Sequence, residues 1–474
     1  MKRSLSFYTL FFVFSLALMK LSGVISKIVV ARFVSPYEYG IITLVTISLP
    51  AMFFYFTNFC LHDLLSNSRE GKNYFGFAFT YSLVASLIVG LFIFIFYVPF
   101  FNFLNLPSSN WELLYLAFFV SLISGSILND ITGLFRGLKF YSSTSIIASF
   151  PAILKLLLLI AFLIALGNLD FLIAILVFSF SSLFTLIFVL ALYRKTIFKN
   201  FRLLALNREI LYFGTSIYLL GLFGGLSQTI SKVVVSHDLG ITWQGYFDAS
   251  LTVVAVLSFA FTSMSFISIP EATSSTNRDE LLYETGKLGD VVRALFTLLI
   301  LGIILLCIYP SQFVELLFGK DYAVSSRFLP VLAVGYVFLY IQQFLAYLNI
   351  SFQKPAEYRP LVIATIVCLL FLVFTVHAFT MMVGILGTYS VLAFFYFIYL
   401  LITLKLSKDL SPVYILVRKI DRLLIAIVII ALISQLIVFS SFIYGVLFIS
   451  AIFTLLVFIT GYLNKDLLES IFLN

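Results

Sequence analysis

The chain has 474 residues, of which 62% are hydrophobic and 11% charged, and its mean hydropathy is +1.14. Soluble domains carry about 25% charged residues, so this composition excludes a soluble protein, because too few polar side chains exist to cover its surface. A bilayer is the solvent that such a sequence requires. One spanning helix takes about 20 apolar residues, and the length therefore accommodates a dozen or more.

In chain order, apolar segments of spanning length predict fourteen transmembrane helices. The segments emerge from hydropathy averaged over about 19 residues. They cover residues 7–30, 39–62, 75–100, 112–135, 142–166, 169–193, 211–235, 242–269, 290–309, 327–351, 359–379, 382–405, 422–441 and 442–463. The first follows a basic N-terminus but lacks a small-residue cleavage site, so we interpret it as a retained helix rather than a removed signal peptide.

Basic residues predict the orientation in the membrane. Of the 29 lysines and arginines, 22 lie in segments on the same side as the N-terminus, and three lie on the opposite side. Because cytoplasmic loops are enriched in Lys and Arg, both termini are predicted to be cytoplasmic. Orientation therefore accounts for most of the net charge of +8, and no nucleic-acid partner is needed to explain it.

The segments between the spans are too short to hold a catalytic domain. The longest one on the predicted external side covers residues 310–326, and no GxxxxGK[S/T] nucleotide-binding pattern occurs. Cys60, Cys307 and Cys368 lie in separate apolar runs, which indicates neither a disulfide framework nor a metal site. We predict a protein that is not an enzyme, with no catalytic residue and no metal.

An internal repeat relates the first and seventh spans at an offset of 205 residues. Ser26–Val30 (SKIVV) recurs as Ser231–Val235 (SKVVV), and Gly40 recurs as Gly245. The offset covers six spans, an even number, which predicts two parallel six-helix bundles followed by two extra helices. The alternative is chance similarity between apolar helices. The predicted domains are residues 1–205, 206–410 and 411–474.

Ionisable side chains inside spans are costly and mark function by default. Lys20 and Lys27 lie seven residues apart and so share one helix face, and Lys232 is the repeat partner of Lys27. We predict a cationic cavity formed by the first helix of each bundle, with a lipid phosphate or pyrophosphate as its guest. The alternative for Lys27 and Lys232 is that they extend to the nearby headgroups.

Two acidic residues also lie inside predicted spans, away from the first residues of those spans. Asp248 is expected either to pair with Lys27 or Lys232 or to carry a coupling proton. Asp130, near the end of the fourth span, is expected to pair with Arg136 or to serve as a helix-end residue.

Other polar and aromatic residues carry weaker signals. Lys155 lies in mid-span and has no identifiable repeat partner. His62, His237 and His377 are far apart in sequence, and we expect them to be helix-end or loop residues without function; the alternative is a role in pH sensing. Tyr37, Tyr39, Trp111 and Trp243 are placed where interfacial anchors belong.

Three motifs make the chain resemble a known family. The stretch from Gly23 to Gly40 has the pattern GxxSKxxxARxxSPxxYG, Gly133–Leu138 reads GLFRGL, and Leu317–Tyr322 reads LFGKDY. These motifs resemble the polysaccharide-type flippases, which include the O-antigen (Wzx-type) translocases of the multidrug/oligosaccharidyl-lipid/polysaccharide exporter superfamily. The resemblance covers most of the first twelve spans. Fourteen spans suit some other branches, including the peptidoglycan-precursor flippases, better than the twelve of many O-antigen translocases.

The resemblance implies that the protein moves a polyprenyl-(pyro)phosphate-linked oligosaccharide from the cytoplasmic to the outer leaflet by alternating access. In relatives, cationic residues receive the lipid headgroup and an ion gradient drives the cycle. The residues carried over are Lys20, Lys27 and Lys232, with Arg32, and Asp248 for gating or ion coupling. No cofactor is expected beyond H⁺ or Na⁺ as the coupling ion. The implied setting is the cell membrane, beside the glycan polymerase and glycosyltransferases of one pathway.

Two rival functions stay open from the sequence. A drug or small-molecule exporter of the same superfamily would be expected to use acidic intramembrane residues, whereas lysines outnumber carboxylates, four to two, in the interior of these spans. A membrane polysaccharide polymerase or ligase would need a long external loop with catalytic side chains, and the predicted loops are short.

Overall fold

A computed structural model describes residues 18–59, 61, 65, 74–108, 110–201, 208–258, 286–352, 359–406, 420–436 and 442–463. Within these ranges the regular secondary structure is helical and contains no β-strand, which confirms the predicted all-α class. Nine helices in the described ranges are long and apolar enough to cross a membrane, and a bent pair adds a tenth. The parts of the first and eighth predicted spans at 7–17 and 259–269 lie outside the described residues, as do Cys60 and His62.

The first half of the chain contains eight helices in its described residues. They are α1 (residues 18–31), α2 (Pro36–Thr43), α3 (Leu49–Thr57), α4 (Phe75–Ile95), α5 (Tyr97–Phe103), α6 (Trp111–Gly137), α7 (Tyr141–Leu166) and α8 (Phe171–Asn200). A π-helical segment, Leu44–Ser48, joins α2 to α3, so that Pro36–Thr57 forms one span of 22 residues.

Local chemistry explains where this span begins. The Ser35 hydroxyl accepts a hydrogen bond from the Glu38 amide, and the Glu38 carboxylate accepts one from the Ser35 amide at 2.9 Å. This reciprocal arrangement is a capping box. Pro36 occupies the first helical turn, where its missing N–H costs nothing. The SPxxYG part of the first motif is therefore a helix-start signal as well as a family signature.

The second half continues with nine helices among the described residues. They are α9 (Arg208–Leu239), α10 (Ile241–Ala255), α11 (Gly286–Ile308), α12 (Pro310–Phe318), α13 (Leu329–Phe352), α14 (Arg359–Val383), α15 (Ile385–Leu406), α16 (Ile420–Leu436) and α17 (Phe442–Ile459). The external segment predicted at residues 310–326 is helical rather than open loop. Pro310 starts α12, which bends 92° away from residues 293–308, and Lys320–Arg327 forms a 3₁₀ helix.

Packing divides the chain into two compact units. The first comprises Met1–Thr252, Phe318–Tyr322 and Val362–Val391; the second comprises Val253–Leu317, Ala323–Leu361 and Leu392–Asn474. In the first unit, α4, α6 and α8 enclose an apolar core that includes Phe75, Ile131 and Val189. In the second, α13 and α15 approach closely at Gly335, where an added Cβ would lie 2.7 Å from the Cα of Ala393. The limits predicted from the sequence repeat, at 205 and 410, stay a prediction.

Large apolar side chains cover much of the outer surface. On α7, Leu157 and Ile164 are 57% and 80% exposed, and on α14, Phe374 and Met382 are 73% and 78% exposed. A soluble protein would not present whole helices of this kind to water. These helices are suited to contact with lipid chains, in agreement with the composition.

Candidate functional site

Lys27 is held on a helix made of small and apolar residues. Ser22 and Ser26 on α1 are buried, and the Ser26 hydroxyl donates a hydrogen bond to the Ser22 carbonyl at 2.7 Å, so the helix satisfies its own polar groups. The Lys27 side chain is 18% exposed. It therefore points into the protein rather than along the helix to a headgroup.

Asp248 on α10 binds two lysines at once. Lys27 Nζ lies 2.8 Å from Asp248 Oδ2, and Lys232 Nζ lies 2.5 Å from Asp248 Oδ1. The Asp248 side chain is 0% exposed, and that of Lys232 is 10% exposed. Of the two roles considered for Asp248, the structure displays the pairing, and it does so with both candidate partners simultaneously.

Two neutral side chains complete the surroundings of this carboxylate. The Tyr39 hydroxyl donates to Asp248 Oδ2 at 3.0 Å, and Lys27 also donates to the Thr252 hydroxyl at 3.3 Å. Tyr39 is fully buried, and its ring meets those of Phe318 and Tyr322 edge to face, at centroid distances of 6.1 and 5.7 Å. The prediction that Tyr39 is an interfacial anchor is therefore wrong. We call Lys27, Lys232, Asp248, Tyr39 and Thr252 the lysine–aspartate cluster.

Two repeat-related glycines let the helices that carry the cluster meet backbone to backbone. A Cβ added to Gly40 would lie 2.4 Å from the carbonyl oxygen of Ile241, and one added to Gly245 would lie 2.1 Å from that of Pro36. Neither position has room for a side chain. The contact is reciprocal, because Ile241 stands 205 residues after Pro36, as Gly245 does after Gly40.

The same offset relates two hydrogen bonds. Gln244 and Asp248 are the repeat equivalents of Tyr39 and Thr43. Tyr39 donates to Asp248, and in the mirrored contact Gln244 Nε2 donates to the Thr43 hydroxyl at 3.4 Å. Contacts that recur with the partners exchanged are those of a two-fold relation. The cluster departs from this symmetry at one position. Asp248 stands where the first repeat has Thr43, and it forms ion pairs with both lysines.

The charges within the lysine–aspartate cluster do not balance. Two ammonium groups face one carboxylate, which leaves an excess of one positive charge inside the membrane region. Lys155 on α7 adds to this excess: its Nζ lies 4.3 Å from the ring centroid of Phe178, and its charge interacts with that of Lys27. Buried charge is costly unless it is paired. The formal charge of the lysine–aspartate cluster is therefore +1.

The other two predicted binding residues lie on α1 or directly after it. Lys20 is partly buried on α1, two helical turns before Lys27. Arg32 is exposed just beyond the end of α1, where its amide donates to the Ile28 carbonyl at 3.2 Å. Their roles stay predictions, as do the substrate-binding roles of Lys27 and Lys232 and the gating role of Asp248.

Two further groupings were not expected from the sequence. His237 and His377 both contact Asp238, with Nδ1–oxygen distances of 2.7 and 2.9 Å. Asp130 is 0% exposed, and a neutral amide, Asn58 Nδ2, donates to its Oδ1 at 3.2 Å. Asp130 is thus a core residue of α6 rather than a helix-end residue.

A family comparison agrees with the motifs. Residues 29–327 match the family described as polysaccharide biosynthesis protein, and the chain belongs to this family. No curated protein sequence matches the chain significantly.

Solved structures share the fold at low sequence identity. A structure described as lipid II flippase MurJ in an inward closed conformation matches with a TM-score of 0.65 and 13% identity, over 98% of this chain and 99% of that one. An inward-facing multidrug resistance MATE transporter of the MOP superfamily matches with 0.60 and 14%, over 84% and 94%. The MATE multidrug transporter DinF-BH matches with 0.61 and 15%, over 86% and 96%.

The family and the fold together confirm two predictions. The chain is a multi-pass helical protein whose fold is that of the flippase and MATE transporter structures, and it belongs to the polysaccharide biosynthesis family, in agreement with the motifs. The flippase match covers almost the whole chain. The two MATE matches leave uncovered a share similar in size to the predicted extra pair of helices.

Proposed function

We propose that the protein flips a polyprenyl-(pyro)phosphate-linked oligosaccharide from the cytoplasmic to the outer leaflet of the cell membrane, by alternating access, for cell-surface polysaccharide synthesis. The observation that carries this proposal is the convergence of two repeat-related lysines on one buried carboxylate. The distribution of basic residues supports a cytoplasmic location for both termini. The polymerase and glycosyltransferases of the same pathway are the partners that such a step requires.

The chemistry of the cluster explains the choice of an anionic guest. Asp248 is the resting counter-ion of Lys27 and Lys232, and a phosphate oxygen carries the same charge in a similar size. A headgroup that enters the cluster competes with Asp248 for the two ammonium groups. Because the carboxylate belongs to α10 and the lysines to α1 and α9, this exchange loosens one helix from the other two.

The same charges disfavour the rival small-molecule function. A cationic drug brought to the cluster would meet a net positive charge, and Lys155 adds repulsion. Contact between the cationic drug and these lysines would cost roughly several kcal/mol, because like charges repel strongly in a desolvated site. The alternative of a peptidoglycan-precursor flippase differs from the main proposal only in the glycan that is moved. The lipid-linked intermediate that accumulates in the absence of the protein identifies that glycan.

The test combines substitution with analysis of the lipid. Lys27→Ala and Lys232→Ala are expected to reduce surface glycan in a deletion strain at least about tenfold, since a lost charge-assisted contact is worth about 1.5–3 kcal/mol, while the protein stays in the membrane. Lys195→Ala, at an exposed position near the end of α8, is the matched control. Mass spectrometry of the accumulated lipid identifies the glycan and its carrier. Full complementation by both cluster variants would overturn the proposal.

A further inference from the structure

A second buried carboxyl, Asp130, has surroundings of the opposite kind. Asp130 lies in the last third of α6 and is 0% exposed. Asn58 Nδ2 donates to its Oδ1 at 3.2 Å, the Ser82 hydroxyl interacts with the same carboxyl, and Oδ2 has no hydrogen-bond partner among the described residues. Both contacting groups are neutral.

Hydrogen bonds among these neutral groups fix the orientation of the Asn58 side-chain amide. Asn58 Nδ2 also donates to the Ser82 hydroxyl at 2.7 Å, and Asn58 Oδ1 accepts from Asn129 Nδ2 at 2.6 Å. The amide orientation is therefore set from both sides, with its N–H₂ group toward Asp130. An amide nitrogen donates hydrogen bonds and cannot ligate a cation.

Among the described residues, the helices packed around Asp130 carry few charged groups. Neither α3 nor α4 contains a charged residue. The other titratable or charged residues on these two helices and on α6, α7 and α8 are Tyr55, Tyr81, Glu112, Tyr115, Arg136, Tyr141, Lys155, Tyr193, Arg194, Lys195 and Lys199, and Asp170 directly precedes α8. The nearest in sequence, Arg136, stands six residues away, which places it on another face of α6. Lys155 lies against Phe178.

An ionised carboxylate in this position would be very costly. Burial of a charge without a counter-ion is penalised by many kcal/mol, and such a group becomes neutral instead. We propose that Asp130 is a proton-binding site. Its carboxyl is protonated in this conformation and loses the proton when the helices around it rearrange. Its part in a transport cycle rests on the proposed function, whereas proton binding itself does not.

One span connects this site to the lysine–aspartate cluster. Tyr39, at the start of the span, donates to Asp248, and Asn58, directly after its last residue, donates to Asp130. The two donors stand 19 residues apart, which is about 28 Å along a helix axis. The π-helical segment Leu44–Ser48 interrupts the span between them, and such segments occur frequently at functional sites. A change in the charge of Asp130 would thus act on the span whose Tyr39 hydroxyl donates a hydrogen bond to Asp248.

Infrared difference spectroscopy of the full-length protein in lipid tests the proposal directly. We expect a carbonyl band of a neutral carboxylic acid at neutral pH, shifted in heavy water and lost in Asp130→Asn. Glu112→Gln, an exposed position on the same helix, is the matched control and should retain the band. Replacing sodium by choline should leave the band unchanged.

Selective carbon-13 labelling of aspartate keeps the test valid if the asparagine variant does not fold. The band of the natural protein should shift with the label, and that of Asp130→Glu should not. The proposal is overturned if no such band exists at neutral pH, if it persists in Asp130→Asn, or if sodium abolishes it, which would indicate a cation site. Flipping of the extracted lipid by reconstituted protein tests the proposed function separately.

Discussion

Asp248 and Asp130 are both aspartates with 0% exposure within membrane helices of the same compact unit, yet their neighbours differ completely. Asp248 touches two ammonium groups and a phenol, whereas Asp130 touches an amide and a hydroxyl. The comparison teaches that burial alone does not define the state of a carboxyl. Counter-charges keep Asp248 ionised, whereas the neutral groups that contact Asp130 favour its protonated form.

The largest effect should follow from removal of the shared counter-ion. Asp248→Asn leaves two buried lysines without their carboxylate, and breaking a buried ion pair in this way costs about 3–5 kcal/mol. Thermal unfolding of the purified protein in detergent measures the loss. Adding Lys232→Met to Asp248→Asn should restore part of the stability, because one of the two unpaired charges is then removed. A stable Asp248→Asn protein would contradict the charged description of the cluster.

A smaller effect is expected where the two repeats touch. Gly245→Ala places a methyl group 2.1 Å from the Pro36 carbonyl oxygen, and overpacking of this kind costs about 1–3 kcal/mol. Gly23→Ala is the control, since no atom lies within 4 Å of an added Cβ there. If both variants unfold at the same temperature, the reciprocal contact does not hold the helices of the cluster together.

The smallest effect sharpens the comparison most. Asp130→Asn replaces a neutral acid by a neutral amide of similar size, so we expect a change in stability within about 1 kcal/mol. The same unfolding assay should separate it clearly from Asp248→Asn. Equal destabilisation by the two substitutions would mean that Asp130 is charged in the folded protein.

Some of this site was predictable from the sequence. Lysines and aspartates are conspicuous within apolar spans, which is why Lys27, Lys232 and Asp248 were candidates. The offset of 205 residues already paired Lys27 with Lys232 and Gly40 with Gly245. Applied further, it would have paired Asp248 with Thr43, and so marked the aspartate as the position that breaks the repeat.

Other features needed the folded chain. Lys27 and Asp248 are separated by 221 positions, and nothing local indicates that one carboxylate serves two lysines. Tyr39 has the aromatic character of an interfacial anchor, but its burial depends on rings from the distant segment Phe318–Tyr322. The pairing of His237 and His377 through Asp238 likewise joins helices far apart in the chain.

The sequence by itself determined the solvent, the helical class and the family, because apolar composition, span length and short motifs are properties of contiguous residues. Tertiary structure decided which buried charges have partners. The energy of a charge depends on the atoms within a few ångströms of it, and helix packing, not chain order, brings those atoms together. For that reason Asp248 and Asp130, which both appear in the sequence as an aspartate within an apolar span, have charged neighbours in the first case and neutral neighbours in the second.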